Sequence, residues 1–241
     1  MSKVCLIKQP AGLGDILFCL KIVEYIYHLS KDTCRTIWPV VENYSDISRY
    51  INPSIPISFP CINDEFEYKA EFLSAPRGAI TSYSGCTVLC LDGCTGSSGV
   101  MKAKYDMVSR SIGKHVDWRE WQTAFSLHRH LNKEEELFDL VNPTKEPYIL
   151  INQNVGTAPH FTSWSNIDPV SPLKKIYLTF VDGYSIFDWL MVVERAAEVH
   201  IEGSALTYIM EKLNISTEQL YLFSRDHNAI DMIFNLKWKK Q

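Results

Sequence analysis

Apolar positions in the first fifty residues follow two different spacings. The run KVCLIK at 3–8 is short and apolar, which predicts a strand. After a glycine-rich bend, apolar residues from Ile16 to about Ser30 recur at the spacing of a helix face. A second strand is predicted at 34–40 and a second helix at 42–51. Alternation of strands and helices is typical of an α/β protein with a parallel sheet.

The middle of the chain has weaker patterns, because prolines interrupt residues 52–85. Short strands are expected in IPISF and FEYKAEF, and a clearer strand in CTVLCLD at 86–92. Helices are expected at 99–112 and 132–141. A linker then follows at 142–147, NPTKEP.

The second half repeats the alternation. The predicted strands are 148–153, 175–181, 198–203 and 219–223, and the predicted helices are 185–197, 204–213 and 226–238. Ser185 and Asp188 have the spacing of a capping box, and 154–165 is expected to be a polar loop. The sequence thus predicts an α/β fold with two Rossmann-like domains, 1–143 and 144–241.

Composition excludes several classes of protein. The 241 residues are 46% hydrophobic and 22% charged, with a net charge of -4, so no basic field argues for a nucleic acid partner. No transmembrane segment and no secretory signal are expected, and the predicted location is cytoplasmic. The seven cysteines are therefore expected to be reduced. Cys86, Cys90 and Cys94 are interpreted as core residues rather than metal ligands.

The turn AGLGD, residues 11–15, offers a candidate catalytic group. Asp15 would repel a phosphate, so a phosphate cradle is disfavoured. Asp15 is either the N-cap of a helix at 16–30, where Asn could replace it with little change in stability, or a general base at the carboxyl edge of a parallel sheet. The turn EGSAL at 202–206 is similar in form, and its backbone N–H groups at 204–206 could receive a diphosphate.

Three stretches together resemble the heptosyltransferase-like glycosyltransferases. LIKQPAGLGDILFCL resembles their amino-terminal Leu-Gly-Asp motif, ILINQNVGTAPHFTSW the start of their second domain, and AAEVHIEGSALTYIMEKL their donor motif. The resemblance implies the GT-B architecture, in which two Rossmann-like domains face each other across a cleft. It also implies an N-terminal acceptor domain, a C-terminal domain that binds a nucleotide-sugar donor, and no metal or other cofactor.

The resemblance also implies site residues. Asp15 is the expected base, beside an acceptor-side loop of Gly12, Leu13 and Gly14. Glu202, Gly203, Ser204 and Ala205 match the position of the family's donor motif, although Glu202 is equally well explained as a solvated strand end. The residues themselves offer five further candidate donor contacts: Gly156 and Thr157 in the polar loop, Asp182 and Tyr184 in a strand-to-helix loop where a plain turn is the favoured interpretation, and Leu206 at the helix start. The chain departs from the family pattern because Glu202 replaces an Asp and no basic residue precedes Trp164. Two explanations are open: either His160, Lys174 or Lys175 offsets the diphosphate charge instead, or donor binding is weak.

The predicted function is a metal-independent, inverting transfer of a sugar from a nucleotide sugar to a glycan or other hydroxyl acceptor. The alternative is a non-catalytic module that binds a nucleotide sugar or glycan, which the missing basic residue favours. A dinucleotide-dependent oxidoreductase is disfavoured because CRTIWPV carries no acidic residue. A hydrolase is disfavoured because GCTGSSG lacks a Gly-x-Ser-x-Gly elbow.

Overall fold

A computed structural model gives the architecture of the chain. It describes residues 3–9, 12–29, 34–83, 86–94, 100–157, 160–163, 166–223 and 235–241. The chain divides into two compact units, Met1–Leu127 and His128–Gln241. This division lies earlier in the chain than the predicted boundary between 143 and 144. The reason is that Leu137 and Phe138, from the helix before the linker, pack into the core of the second unit.

The first unit contains seven strands and three α-helices among its described residues. In chain order they are β1 Lys3–Lys8, α1 Leu13–Leu29, β2 Cys34–Ile37, β3 Ile51–Pro53, β4 Ile57–Ser58, α2 Lys69–Ser74, β5 Ala79–Tyr83, β6 Cys86–Cys90, α3 Val100–Ile112 and β7 Phe125–Leu127. Five strands form one sheet in the order β4-β2-β1-β6-β5, with β5 antiparallel and the rest parallel. The strands β3 and β7 pair separately.

Two predicted elements of the first unit are wrong. Residues 42–51 do not form one helix, because two short 3-10 helices, Glu42–Tyr44 and Ile47–Arg49, precede β3. FEYKAEF is not a strand, because its second half begins α2. In that helix Phe72 is buried, with its ring edge-on to Phe66 at 5.7 Å. The alternating aromatic residues thus pack against the core from the start of a helix and the segment before it.

The second unit is built around a parallel sheet of five strands. Its elements are α4 Leu131–Val141, β8 Tyr148–Asn152, β9 Asn154–Thr157, β10 His160–Ser163, β11 Lys174–Tyr177, α5 Leu190–Glu194, β12 Glu198–Glu202, α6 Ala205–Met210, β13 Leu220–Phe223 and β14 Lys239–Lys240. The sheet order is β11-β8-β12-β13-β14. A 3-10 helix, Ile186–Trp189, leads into α5, and the predicted capping box of Ser185 and Asp188 at its start is confirmed.

Two predicted elements of the second unit differ. The expected polar loop at 154–165 contains an antiparallel hairpin of β9 and β10. Most of the expected closing helix at 226–238 lies outside the described residues, and its last part, 235–238, is not helical. That part leads into β14, which pairs with β13.

Both sheets reverse their strand order in the same way. In the first unit β2 pairs on one side of β1, and β6, which comes later in the chain, pairs on the other side. In the second unit β11 pairs on one side of β8, and β12 pairs on the other side. Such a switch point opens a crevice at the carboxyl ends of the two strands, where α/β proteins bind ligands. The predicted α/β class with two Rossmann-like halves is confirmed.

Within the described ranges, no helix combines the length and apolar character needed to cross a membrane.

Candidate functional site

The switch point of the first unit brings Asp15 next to a buried lysine. Asp15 lies in the first turn of α1, which follows β1, and Lys104 lies in α3, which follows β6. The Nζ atom of Lys104 donates a hydrogen bond to Oδ1 of Asp15 and forms an ion pair with it. The side chain of Lys104 is 3% exposed and that of Asp15 is 27% exposed. The carboxylate is therefore fixed on its inner side and reached by solvent on the other.

Gly12 makes room for the second oxygen of this carboxylate. Its φ is +105°, and a Cβ atom built on Gly12 would overlap with Oδ2 of Asp15. A side chain at position 12 would therefore both strain the backbone and displace the carboxylate. The glycine of the turn is required by the position of Asp15 as well as by the bend.

The N-cap interpretation of Asp15 is wrong. The helix begins at Leu13, and its first hydrogen bond runs from the N–H of Ile16 to the carbonyl of Gly12 at 3.1 Å. Asp15 is thus the third helical residue. Leu13 is buried, and Leu13 and Gly14 are helical, so only Gly12 of the expected acceptor-side loop lies outside the helix.

Thiols and a thioether surround the ammonium of Lys104. Met101 Sδ lies 3.9 Å from Nζ, and the thiols of Cys19 and Cys94 interact with its charge. Burial lowers the pKa of Lys104, but Cys19 and Asp15 act against burial, and the net result is a pKa above the ordinary value. Burial also raises the pKa of the Cys19 thiol to about 12. The pocket therefore holds a charged lysine and a neutral thiol.

Sequence reasoning missed Lys104, although a signal was present. In α3 the buried residues Met107 and Val108 lie three and four positions after Lys104. A lysine on the apolar stripe of a helix is rarely fully buried without a partner. Its position therefore indicates a buried carboxylate nearby, but the pattern does not say which one.

In the second unit, amide side chains connect the strand ends at the switch point. Asn152, at the end of β8, donates from Nδ2 to the hydroxyl of Ser204, 3.4 Å away, and accepts the N–H of Asn154 at 3.2 Å. Asn154 in turn donates from Nδ2 to the carbonyl of Leu178, 3.0 Å away, just after β11. Sequence reasoning missed both asparagines, although Asn152 directly follows the apolar run YILI and Asn154 lies two positions further on.

The turn between β12 and α6 has the predicted form, but one of its N–H groups is already engaged. Ser204 and Thr207 form a capping box, in which the N–H of Ser204 donates to the hydroxyl of Thr207 at 3.2 Å. Of the three N–H groups expected to receive a diphosphate, those of Ala205 and Leu206 remain without intrahelical acceptors. Gly203 has no positive φ, and a Cβ atom there would meet only the carbonyl of Phe223 at 3.9 Å.

The other expected donor residues occupy varied positions. Glu202 is 1% exposed, so it is neither a solvated strand end nor part of the open surface. Asp182 is exposed in a turn, while Tyr184 packs against the core beneath the ammonium of Lys133, 5.4 Å from its ring centroid. Gly156 and Thr157 belong to the hairpin strand β9.

Two of the residues expected to offset the diphosphate charge lie at the amino end of their strand, away from the carboxyl edge of the sheet. Lys174 and Lys175 begin β11, whereas ligands of a parallel sheet bind at its carboxyl edge. Lys174 donates to Oδ1 of Asn142 at 3.0 Å, and Lys175 pairs with Asp168 at 2.5 Å. Trp164 lies outside the described residues. Where the chain is described, no group of three or more His, Cys, Asp or Glu side chains is arranged to hold a metal ion.

Comparisons with known proteins identify the fold. No family model and no curated protein matches the sequence. The solved structure of a glycosyl transferase family 9 protein from Veillonella parvula matches 100% of this chain and 87% of its own, with a TM-score of 0.56 and 10% identity. The E. coli ADP-heptose LPS heptosyltransferase II matches over 99% of this chain and 90% of its own, with a TM-score of 0.51 and 9% identity.

These similarities define a class of fold. The chain has the α/β architecture of the GT-B glycosyltransferases, as the resemblance in its motifs implied. More particularly, it is similar in structure to the family 9 and heptosyltransferase proteins.

Proposed function

We propose that this chain is a glycosyltransferase that moves a sugar from a nucleotide-sugar donor to a hydroxyl acceptor, without a metal and with inversion at the anomeric carbon. The observation that carries the proposal is the carboxylate of Asp15, which is held by Lys104 at the switch point of the first unit and remains 27% exposed. A fixed, solvent-accessible carboxylate at this edge is suited to general-base catalysis.

The proposed step is a direct displacement. Oδ2 of Asp15 takes the proton of the acceptor hydroxyl while the acceptor oxygen forms a bond to the anomeric carbon. The bond from that carbon to the diphosphate oxygen breaks, and its electron pair leaves with the diphosphate. Attack opposite the leaving group inverts the anomeric configuration.

The second unit is proposed to bind the donor at its own switch point. The turn at Gly203 presents the backbone without a side chain, and the N–H groups of Ala205 and Leu206 can donate to a diphosphate. Nucleoside diphosphate sugars are the first donors to test, because the solved structure with a TM-score of 0.51 is named for ADP-heptose. This assignment makes the first unit the acceptor unit.

A matched pair of variants tests the catalytic role of Asp15. Lys104→Met is the reference, and Asp15→Asn/Lys104→Met is the test, because neither leaves an ammonium buried without a counter-charge. Binding of ADP, UDP and GDP sugars is screened by thermal shift, and transfer is followed as nucleoside diphosphate release in the presence of glycan acceptors. The double variant is expected to bind the donor as the reference does and to lose about a hundredfold or more in rate.

Two outcomes contradict the proposal. Equal rates in the two variants would show that Asp15 is not the base. Tight binding of a nucleotide sugar by the wild type with no release of nucleoside diphosphate under any acceptor would favour the non-catalytic binding module, which the absence of a basic residue before Trp164 also favours.

A further inference from the structure

Lys104 has a single oxygen partner among the described residues, Oδ1 of Asp15. Its other contact is the thioether of Met101, which is a weak acceptor. Burying an ammonium is costly unless it is paired, so Lys104 depends on this one carboxylate to offset the cost of its desolvation. The contact holds Oδ1 of Asp15 against the ammonium.

The two oxygens of Asp15 have different surroundings. Oδ1 is the atom that Lys104 binds, on the buried side. Oδ2 lies over Gly12, in space that any side chain at position 12 would fill. The two oxygens therefore differ in their surroundings. Lys104 contacts Oδ1, and the missing side chain of Gly12 leaves space for Oδ2.

We propose that Lys104 is a positioning residue for Asp15: its ammonium holds Oδ1 and thereby directs Oδ2 to take up the proton of the acceptor. The inference rests on the proposed function. Protonation at Oδ2 leaves Oδ1 able to accept from Lys104, so the contact persists while the proton moves. No proton passes through Lys104.

Among the described residues, three sulfur-containing side chains interact with Lys104 beside Asp15. They are the Cys19 thiol on α1, the Cys94 thiol after β6, and Met101 on α3. Burial raises the pKa of both thiols, so they stay neutral through the working range of pH. Lys104 is therefore the only cation that the structure shows interacting with Asp15 among the described residues.

The pH profile of kcat/KM tests the proposal, with Lys104→Met as the variant. Removing a cation that stabilises a carboxylate favours its protonation. The acid limb is therefore expected to lie at higher pH in the variant than in the wild type, while the rate at alkaline pH returns to within several-fold of the wild type. Lys102→Met is the matched control. Lys102 lies on the same helix, over the ring of Trp118, and its loss is expected to leave the profile unchanged.

A rate lowered equally at every pH, with the acid limb in place, would reduce Lys104 to a structural residue and overturn the proposal. A second measurement needs no substrate. The ε-carbon resonance of Lys104, identified by its loss in Lys104→Met, should titrate at a lower pH in Asp15→Asn than in the wild type, because the variant lacks a carboxylate that favours the charged lysine. An unchanged titration would mean that Asp15 does not pair with Lys104, and would also overturn the proposal. If no donor reacts with the wild type, the proposed function is refuted. The titration of Lys104 still tests its contact with Asp15 in that case, because it needs no substrate.

Discussion

The ammonium of Lys104 is almost sealed from solvent, with 3% of its side chain exposed, whereas the carboxylate of Asp15 that it binds is 27% exposed. The two partners are therefore not equivalent. Removing the carboxylate leaves a cation buried among sulfur atoms, while removing the cation leaves a carboxylate that water already reaches. Loss of Asp15 should cost the fold much more than loss of Lys104.

Asp15→Asn is expected to lower the free energy of unfolding by about 3–5 kcal/mol, the cost typical of breaking a buried ion pair from one side. Lys104→Met should cost about 1 kcal/mol or less, because Met replaces the alkyl stem and removes the buried charge. The double variant should recover most of the stability lost in Asp15→Asn. Urea unfolding of the three variants gives the comparison.

This expectation reverses what the turn sequence alone suggests, namely that Asn could replace Asp15 with little change in stability. Equal stability of Asp15→Asn and the wild type would mean that the ion pair contributes nothing to the fold. An additive double variant would mean that the two side chains are not coupled.

Local patterns predicted most strands and the position of the candidate base. KVCLIK and YILIN are apolar runs, and they form β1 and β8 within one residue of the predicted bounds. Such runs can be recognised because a buried parallel strand needs apolar residues on both faces. The order of motifs also indicated the fold, since the turns at Gly12 and Gly203 each connect a strand to a helix.

What the sequence did not predict depends on contacts between distant residues. Asp15 and Lys104 are 89 positions apart, and no local pattern pairs them. The strands β9 and β10, NVGT and HFTS, each contain a single large apolar residue, so hydrophobic spacing does not reveal their hairpin. The start of α1 shifted to Leu13 because Gly12 provides the first helical carbonyl.

Gly203 offers a test of donor binding that leaves the fold intact. Its φ is not positive and a Cβ atom there meets only one carbonyl at 3.9 Å, so Gly203→Ala should change the free energy of unfolding by less than about 1 kcal/mol. If a diphosphate approaches this backbone closely, the added methyl group should weaken nucleotide-sugar binding about tenfold or more. Isothermal titration with the donor found by screening measures the effect.

The matched control is Gly113→Ala. Gly113 follows α3 with a φ of +66° and no neighbour within 4 Å of a built Cβ atom. Alanine there should lower stability by about 1 kcal/mol and leave binding unchanged. Unaltered affinity in Gly203→Ala would move the donor site away from this turn.

Glu211 binds the last described segment of the chain, residues 235–241, through hydrogen bonds. Its carboxylate accepts the N–H of Asn235 at 2.6 Å and the indole N–H of Trp238 at 2.8 Å, and its side chain is buried. Glu211→Ala removes both acceptors, and hydrogen bonds to a charged group contribute about 1.5–3 kcal/mol each. Amide hydrogen exchange across 235–241 should therefore become at least tenfold faster, while Glu218→Ala, at an exposed position, should leave it unchanged. Unchanged protection in Glu211→Ala would show that β14 pairing alone retains the segment.

Cys19 should make the fold sensitive to alkaline pH. Burial raises the pKa of its thiol from 9.0 to about 12. The unfolded chain therefore loses the thiol proton near pH 9, whereas the folded chain retains it until about pH 12. The stabilising contribution is complete below pH 9 and is lost as the pH rises toward 12, at up to about 1.4 kcal/mol per pH unit.

Cys19→Ala should remove this dependence. Between pH 8 and pH 10 its free energy of unfolding is expected to fall by about 1.4 kcal/mol less than that of the wild type, a range that stays below the ordinary pKa of lysine. The cavity left by the thiol lowers stability at every pH, so Leu20→Ala, at a buried position of the same helix, is the control. It should shift the whole curve without changing its slope. A slope in Cys19→Ala equal to that of the wild type would mean that the thiol ionises in the folded chain as readily as in the unfolded one.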